Sequence, residues 1–332
     1  MKKLVVSLVA LLLVSQNSFA LGSRTRAMGG AFIGLADDEN AIFTNPAGLS
    51  QLNGSHYHLD VLLNSRNEYT NDSFVYSSQI YEKEGTKRFS IEDYLENEFQ
   101  FEKVTKKKSR FNYAISVNRD EKSADFVRKI KNDTQSNVQL NQTVSAPIET
   151  MTYNLGFATK FPMAPALFQK NQVYGGVSLK YQTVKREIAS LKQSNYKDVL
   201  NVSFSALIKT PHNFSFGIVA DALISDKVNG GTGTQSSSSN LSIGGSYRVD
   251  KGSVVNIDVT NVLNADRAVN PQLKLGFERE LIKDELALRL GSWDGTFTMG
   301  FGMKLYEAMK VDYAFFNGDV LKEHYISTSL PF

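Results

Sequence analysis

Residues 297–305, FTMGFGMKL, put an apolar side chain at every odd position and threonine, glycine or lysine at every even one. Alternation at period two sends the two sets to opposite faces of an extended strand. The same pattern recurs on both sides of this stretch. Leu286, Leu288 and Leu290 precede it, then Leu273, Leu275 and Phe277, and before those Val255, Ile257 and Val259. Further back the alternation covers 241–249, 214–224, 200–208 and 173–181, and forward it continues around 311–315 and 326–332. Residues 149–161, 110–119 and 54–64 extend it towards the N-terminus, with a less regular stretch at 73–82. The count is about fourteen strands, most near the ~9–11 residues a tilted strand needs to cross a bilayer.

A soluble sandwich with its apolar face inward and a membrane barrel with that face outward both alternate at period two. The polar faces separate them. A sandwich carries many charges on its water-facing side, whereas Ser, Gly, Asn, Thr and Gln dominate here, as in a crowded lumen. Tight connections such as Asp250-Lys251-Gly252 alternate with long polar ones such as 225–239, which suits short periplasmic turns and longer external loops. Met1-Lys2-Lys3, the apolar run Leu4–Val14 and Ser18-Phe19-Ala20 have the form of a secretory signal, and the run is too short to span a bilayer. The expected fold class is therefore all-β: a transmembrane antiparallel barrel of about 14 strands. Its expected divisions are a signal peptide at 1–20, an N-terminal unit at 21–52 and an outer-membrane barrel at 53–332.

Composition narrows the function. Of 332 residues none is cysteine, so no disulfide framework or thiolate site is available. The formal charge is only +3, and two of those charges lie in the leader, which gives no electrostatic case for nucleic acid. An enzyme of the acyl-transfer type needs a nucleophile with a base in reach. With histidine only at 56, 58, 212 and 324 and no serine in a sharp-turn motif, that reading is weak, and no catalytic residue or cofactor is assigned.

Directly behind the leader stands a segment unlike the strands, AMGGAFIGLADDENAIFTNPAGL at 27–49. Asp37 or Asp38 suits a helix N-cap, with acids in the first turn favoured by the helix dipole. Asn45 then suits the cap of a second short turn with Pro46 at its first position, where the missing N–H costs nothing. Gly29 and Gly30 give backbone freedom or close approach. A unit this short has no core of its own and needs a host surface.

Arg26-Ala27-Met28-Gly29-Gly30-Ala31, Ala36-Asp37-Asp38 and Asn45-Pro46-Ala47-Gly48-Leu49 resemble the N-terminal region of the long-chain fatty-acid transporter (FadL) superfamily, which includes the PorV-type barrels of a secretion system. The resemblance covers residues 22–52 and agrees in length and strand count; nothing is recognised between 66 and 148. It implies a helical hatch folded into the lumen, with Asn45, Pro46 and Ala47 at the hatch motif. It further implies entry of hydrophobic molecules from outside and sideways exit through the wall. Phe32, Ile33, Leu35, Ile42 and Phe43 are the candidate hydrophobic ligand contacts. The terminal Phe332 resembles the closing-strand signal read by the barrel assembly machinery, with Pro331 a departure tolerable at a strand end. The expected setting is the bacterial outer membrane, surrounded by its lipid, with both termini periplasmic.

Plainer readings stand beside these. The cap chemistry accounts for Asn45-Pro46-Ala47 without a ligand. Asp37-Asp38-Glu39, and His56 and His58 with Asp60, lack the further ligands a metal needs, so no metal is expected. Asp60, Lys160, Lys180, Asp221, Arg248, Asp258, Lys274, Glu278, Arg289 and Asp312 are of mixed sign, as expected of a paired network bracing wall and hatch. The leading expectation is passive uptake of hydrophobic small molecules. The alternative is a PorV-like barrel that docks exported proteins or a secretion partner, for which Asp120–Pro147 is read as a large external insert. A long connection at 83–109 with a possible helix at Ile91–Phe99 fits the parity of the strands badly.

Overall fold

The computed structural model describes residues 22–63, 69–83, 106–130, 140–161, 171–188, 193–229, 239–263, 270–305, 309–317 and 322–331. The leader, residues 91–99 and Phe332 lie outside the described residues. The strands are β1 (Ser55–Leu63), β2 (Tyr69–Lys83), β3 (Lys106–Ile130), β4 (Leu140–Lys160), β5 (Gln172–Ile188), β6 (Gln193–Lys209) and β7 (Phe214–Asn229). They continue as β8 (Asn240–Arg248), β9 (Ser253–Thr260), β10 (Gln272–Ile282), β11 (Leu286–Trp293), β12 (Thr296–Leu305), β13 (Met309–Asn317) and β14 (Lys322–Pro331). Each pairs antiparallel with its chain neighbours, and β1 closes on β14 with His56 opposite Pro331 and Leu63 opposite His324. Closure leaves no sheet edge, so backbone hydrogen bonding is satisfied without water.

The faces are inverted relative to a water-soluble core. Phe277, Leu290, Met299 and Phe315 stand opposite one another on β10–β13 and form one row around the outside. Phe216, Ile257 and Leu290 remain 54%, 51% and 49% exposed, while Ser116, Asp60 and Thr298 on the inner face are fully buried. A wall with apolar side chains outward and hydroxyls, amides and carboxylates inward suits hydrocarbon around it and a packed, polar interior within.

One expectation needs correction, and the less regular strand is borne out. Asp120–Pro147 is not an insert: β3 and β4 stay in one register from Phe111 opposite Thr159 out to Ile130 opposite Leu140. Residues 120–147 carry few apolar residues in alternation, and a strand without that alternation reads as a loop. Residues 73–82 do belong to a strand, β2, opposite which β3 carries two extra residues between Lys108 and Asn112. With 25 and 21 residues, β3 and β4 run far past the hydrocarbon, whereas β8–β14 have 8 to 11.

Candidate functional site

Residues 22–52 lie within the ring of strands. They form α1 (Ser23–Ala27), α2 (Ala41–Thr44) and a 3-10 turn over Pro46–Gln51, joined by turns. Met28, Phe32, Leu35, Ala36, Ile42 and Leu49 make a shared core with Val75, Ala114, Ala158 and Val254 of the wall. The segment thus borrows about a third of its core from the strands.

Its backbone rests on wall glycines. A side-chain carbon at Gly291 would lie 2.2 Å from Gly29 N, at Gly176 2.2 Å from Ala47 N, and at Gly276 2.7 Å from the Met28 carbonyl. These glycines occupy inward positions of β11, β5 and β10, so their missing side chains are what lets two backbones meet. Gly29 and Gly30 adopt φ of +62° and +74°, which L side chains rarely reach. The Gly29 N–H donates to Thr298 Oγ1 (3.0 Å), whose hydroxyl donates to the Ala27 carbonyl (3.0 Å).

Polar anchors do the rest. Asp258 on β9 accepts from the N–H groups of Phe32 (2.6 Å) and Ile33 (2.8 Å). Asp60 on β1 accepts from the Ser23 N–H (2.9 Å) and the Ser73 hydroxyl (3.1 Å), and is bonded to His58 Nε2 (2.8 Å), whose Nδ1 meets Ser329 Oγ (2.6 Å). Asn45 supplies the cap expected from the sequence, its Oδ1 accepting from the Ala47 N–H (3.2 Å), while its Nδ2 donates to the carbonyls of Ile33 (2.8 Å) and Ala206 (3.3 Å).

Asp38 is in part the local cap expected, its Oδ1 accepting from the Asn40 N–H (2.9 Å) just ahead of α2, but the charges of Asp37 and Asp38 have another partner. The N-cap position of α2 is Asn40, which makes no side-chain cap. Instead Arg24 Nη1 donates to Asp37 (2.7 Å) and Asp38 (3.0 Å), while its Nε and Nη2 take both oxygens of Glu278 (2.8 and 2.7 Å). Glu278 also accepts from Arg289 (2.6 Å), which in turn reaches Asp312 (2.6 Å). Ionic attraction from a buried guanidinium outweighs a weak dipole term. Burial opposes the Arg24 charge, yet Asp37, Glu278 and then Asp38 overcome it and hold its pKa well above the ordinary value. Burial likewise opposes the Glu39 charge, but the hydrogen bond from His56 (2.8 Å) and the charges of His58 and His56 hold its pKa below the ordinary range.

Asp258 allows a direct check of this anchoring. Asp258→Ala leaves two buried N–H groups without partners, at about 1–3 kcal/mol each. Faster hydrogen exchange at Phe32 and Ile33, with the barrel still heat-stable on gels, is the expected result; Asp258→Asn, which keeps an oxygen acceptor, should exchange more slowly than the alanine variant.

Cavities lie on both sides of the segment. Towards the chain termini, a space of about 280 Å³ is lined by the Arg24 network, His56 and His58. No cluster among the described residues has the ligand set of a metal site. Towards the opposite strand ends lies a space of about 800 Å³. Its floor includes Ile33, Ile42, Phe43 and Pro46; its walls are mostly amides and hydroxyls, with Lys180, Lys274, Asp221 and Trp293. Of the five candidate hydrophobic contacts, Ile33, Ile42 and Phe43 line this cavity. Phe32 and Leu35 do not, because they fill the core beneath it. Sequence reasoning missed Arg24 and the seating glycines, although glycine at an inward strand position is a signal that could have been read.

Beside the cavity β7 is irregular. Phe204 pairs with Ala220 but Val202 with Ile224, so two extra residues bulge from β7, and Ala222 adopts φ +49°. Ser203 hydrogen-bonds Asp221, the Ala222 N–H donates to Ser203 Oγ (3.2 Å), and pairing with β8 ends at Asp221 opposite Asn240. A bulge bends its strand. Asp221 and Ala222 line the cavity, while Leu223 and Ile224 stand 49% and 61% exposed.

No family model matches the chain, and no curated protein matches it by sequence. Solved structures do. A monoaromatic hydrocarbon channel, the TodX deltaS2S3 mutant, superposes at TM-score 0.60 with 11% identity over 94% of this chain and 99% of its own. The Pseudomonas putida toluene transporter TodX gives 0.57 and 11% over 95% and 98%. A Pseudomonas aeruginosa FadL homologue gives 0.51 and 10% over 95% and 100%. The chain has the fold of these FadL-type channels.

Proposed function

We propose that the protein is an outer-membrane channel for passive uptake of hydrophobic small molecules, with residues 22–52 as its hatch. The observation that carries this reading is the larger cavity. It reaches from the strand ends opposite the termini down to Ile33, Ile42 and Phe43, and it abuts the β7 bulge, where Asp221 and Ala222 line it and the next residues, Leu223 and Ile224, are exposed. Solved structures of the same fold are named for toluene and monoaromatic hydrocarbons, cargo of the size and polarity that such a floor would hold. In this reading the cargo settles on Phe43, the hatch prevents direct passage, and exit is sideways at Asp221–Leu223 into lipid. Both termini then face the periplasm.

Proteoliposomes bearing the protein should take up toluene or a long-chain fatty acid saturably, above protein-free liposomes. Deleting Asp221 and Ala222 would make the β6–β7 register continuous from Val199 to Lys209 and should abolish that uptake while conductance persists. Background-level uptake, together with unchanged binding and conductance after deletion of residues 22–52, defeats the reading. The β3–β4 hairpin, which projects beyond the hydrocarbon, favours a docking role as the second reading. Co-purification of a stoichiometric partner from outer membranes, lost when 121–148 is shortened, would support it.

A further inference from the structure

Bare hydrocarbon complements the floor of the cavity above the segment but leaves its polar walls unmatched. On its β3–β6 wall the side chains form two cross-strand rows: Asn118, Thr152 and Gln182 in one, and Asn154, Lys180 and Asn201 in the other. Neighbouring strands are about 4.8 Å apart, so each row sets hydrogen-bonding groups at that spacing across three strands. All six residues line the cavity. Asn201 is only 6% exposed, and its Oδ1 has no hydrogen-bond partner among the described residues; neither has the Oδ1 of Asn118.

We infer that the cavity selects an uncharged amphiphile with a hydroxyl group, whose apolar body lies on Ile33, Ile42 and Phe43 and whose hydroxyl bonds the Asn118–Asn201 wall. This deepens the channel reading and rests on it for the role of the site, but the binding claim stands on the cavity alone. A buried amide oxygen without a partner is an energetic liability that a ligand donor relieves. A hydroxyl both donates and accepts, so it complements a primary amide whichever way the amide is turned. An ionised carboxylate only accepts, and cannot serve an amide oxygen. An alkylbenzene does neither, and covering the wall with it would strip water from these amides without replacement.

Trp293 supplies the readout. It is the only tryptophan in the chain and lines the cavity, with the Lys274 ammonium 4.0 Å from its ring centre. Three probes of one size separate the possibilities: propylbenzene, 4-propylphenol and 4-propylbenzoate, each titrated against Trp293 fluorescence in the detergent-solubilised full chain. The phenol should bind about tenfold more tightly than propylbenzene, the gain expected of one or two net hydrogen bonds, and more tightly than the benzoate. Asn118→Leu and Asn201→Leu, made singly and together, should reduce the phenol's advantage stepwise while leaving propylbenzene affinity level or improved.

Equal or tighter binding of propylbenzene overturns the inference, and so does tightest binding of the benzoate, which would assign selection to Lys180. The wild-type comparison decides the matter even where a leucine variant fails to fold. Proteoliposome uptake separates this inference from the channel reading. A phenol preference without uptake removes the channel and keeps the site; saturable propylbenzene uptake without a phenol preference does the reverse.

Discussion

Replacing Arg24 with methionine is expected to release the N-terminal segment from the wall and raise the single-channel conductance of the reconstituted barrel severalfold. The change removes the guanidinium that faces Asp37, Asp38 and both oxygens of Glu278. These groups are largely shielded, with side-chain exposures of 16% for Arg24 and 9% for Glu278, so water does not replace the lost partner cheaply. Breaking a buried pair from one side costs about 3–5 kcal/mol, because the remaining charges stay buried and unmatched. Glu278 keeps Arg289, which limits the loss at that end, whereas Asp37 keeps Arg248 at the longer distance of 3.7 Å. Arg24→Lys should fall between the two, since an ammonium cannot hold both Glu278 oxygens and both aspartates in one fork. Planar-bilayer recordings of the three proteins provide the measurement, and conductance equal to wild type in Arg24→Met would refute the anchoring role.

The second large effect is expected at Gly291. In Gly291→Val the first side-chain carbon alone would sit 2.2 Å from Gly29 N and 2.4 Å from the Met28 carbonyl carbon. Both are backbone atoms, so no rotamer change gives relief, and the segment must lift from β11 by more than an ångström. Lifting breaks the Gly29–Thr298–Ala27 hydrogen bonds and opens the core around Met28. Overpacking of side chain on side chain costs about 1–3 kcal/mol, and contact with backbone stands at or above the upper end. Limited proteolysis should cut within residues 22–52 in this variant and spare the same region in wild type. Gly245→Ala is the matched control: it lies on the outward phase of β8, where the nearest atom is Ile257 Cγ2 at 3.6 Å, and it should behave as wild type. Equal protection of the segment in both variants would show that the wall glycines do not seat it.

The strand pattern around 297–305 was sufficient for the class of fold, because a strand crossing hydrocarbon must show one apolar and one polar face at every second residue. The same logic failed for residues 120–130 and 140–147, where the strands leave the hydrocarbon and the constraint on the outer face lapses. The Asn45-Pro46 turn was legible for another local reason: a cap is made by residues two positions apart, so sequence spacing contains the geometry. For Asp37 and Asp38 the spacing showed only part: Asp38 accepts from the Asn40 N–H two positions on, but Arg24, the partner for their charge, stands on a different turn and carries no spacing signal.

The sequence by itself therefore determined what local periodicity can encode: the approximate number of strands, the face shown by the regularly alternating residues, and the presence of a capped unit ahead of the first strand. Only the tertiary structure decided that Arg24 meets Glu278, 254 residues away, that Gly291 and Gly176 lie under the backbone of the segment, and that Ile33, Ile42 and Phe43 face a cavity while Phe32 and Leu35 do not. Those contacts depend on the register at which the barrel closes and on the depth at which the segment rests. Both are fixed by the summed packing of all fourteen strands, and no short stretch of chain contains that sum.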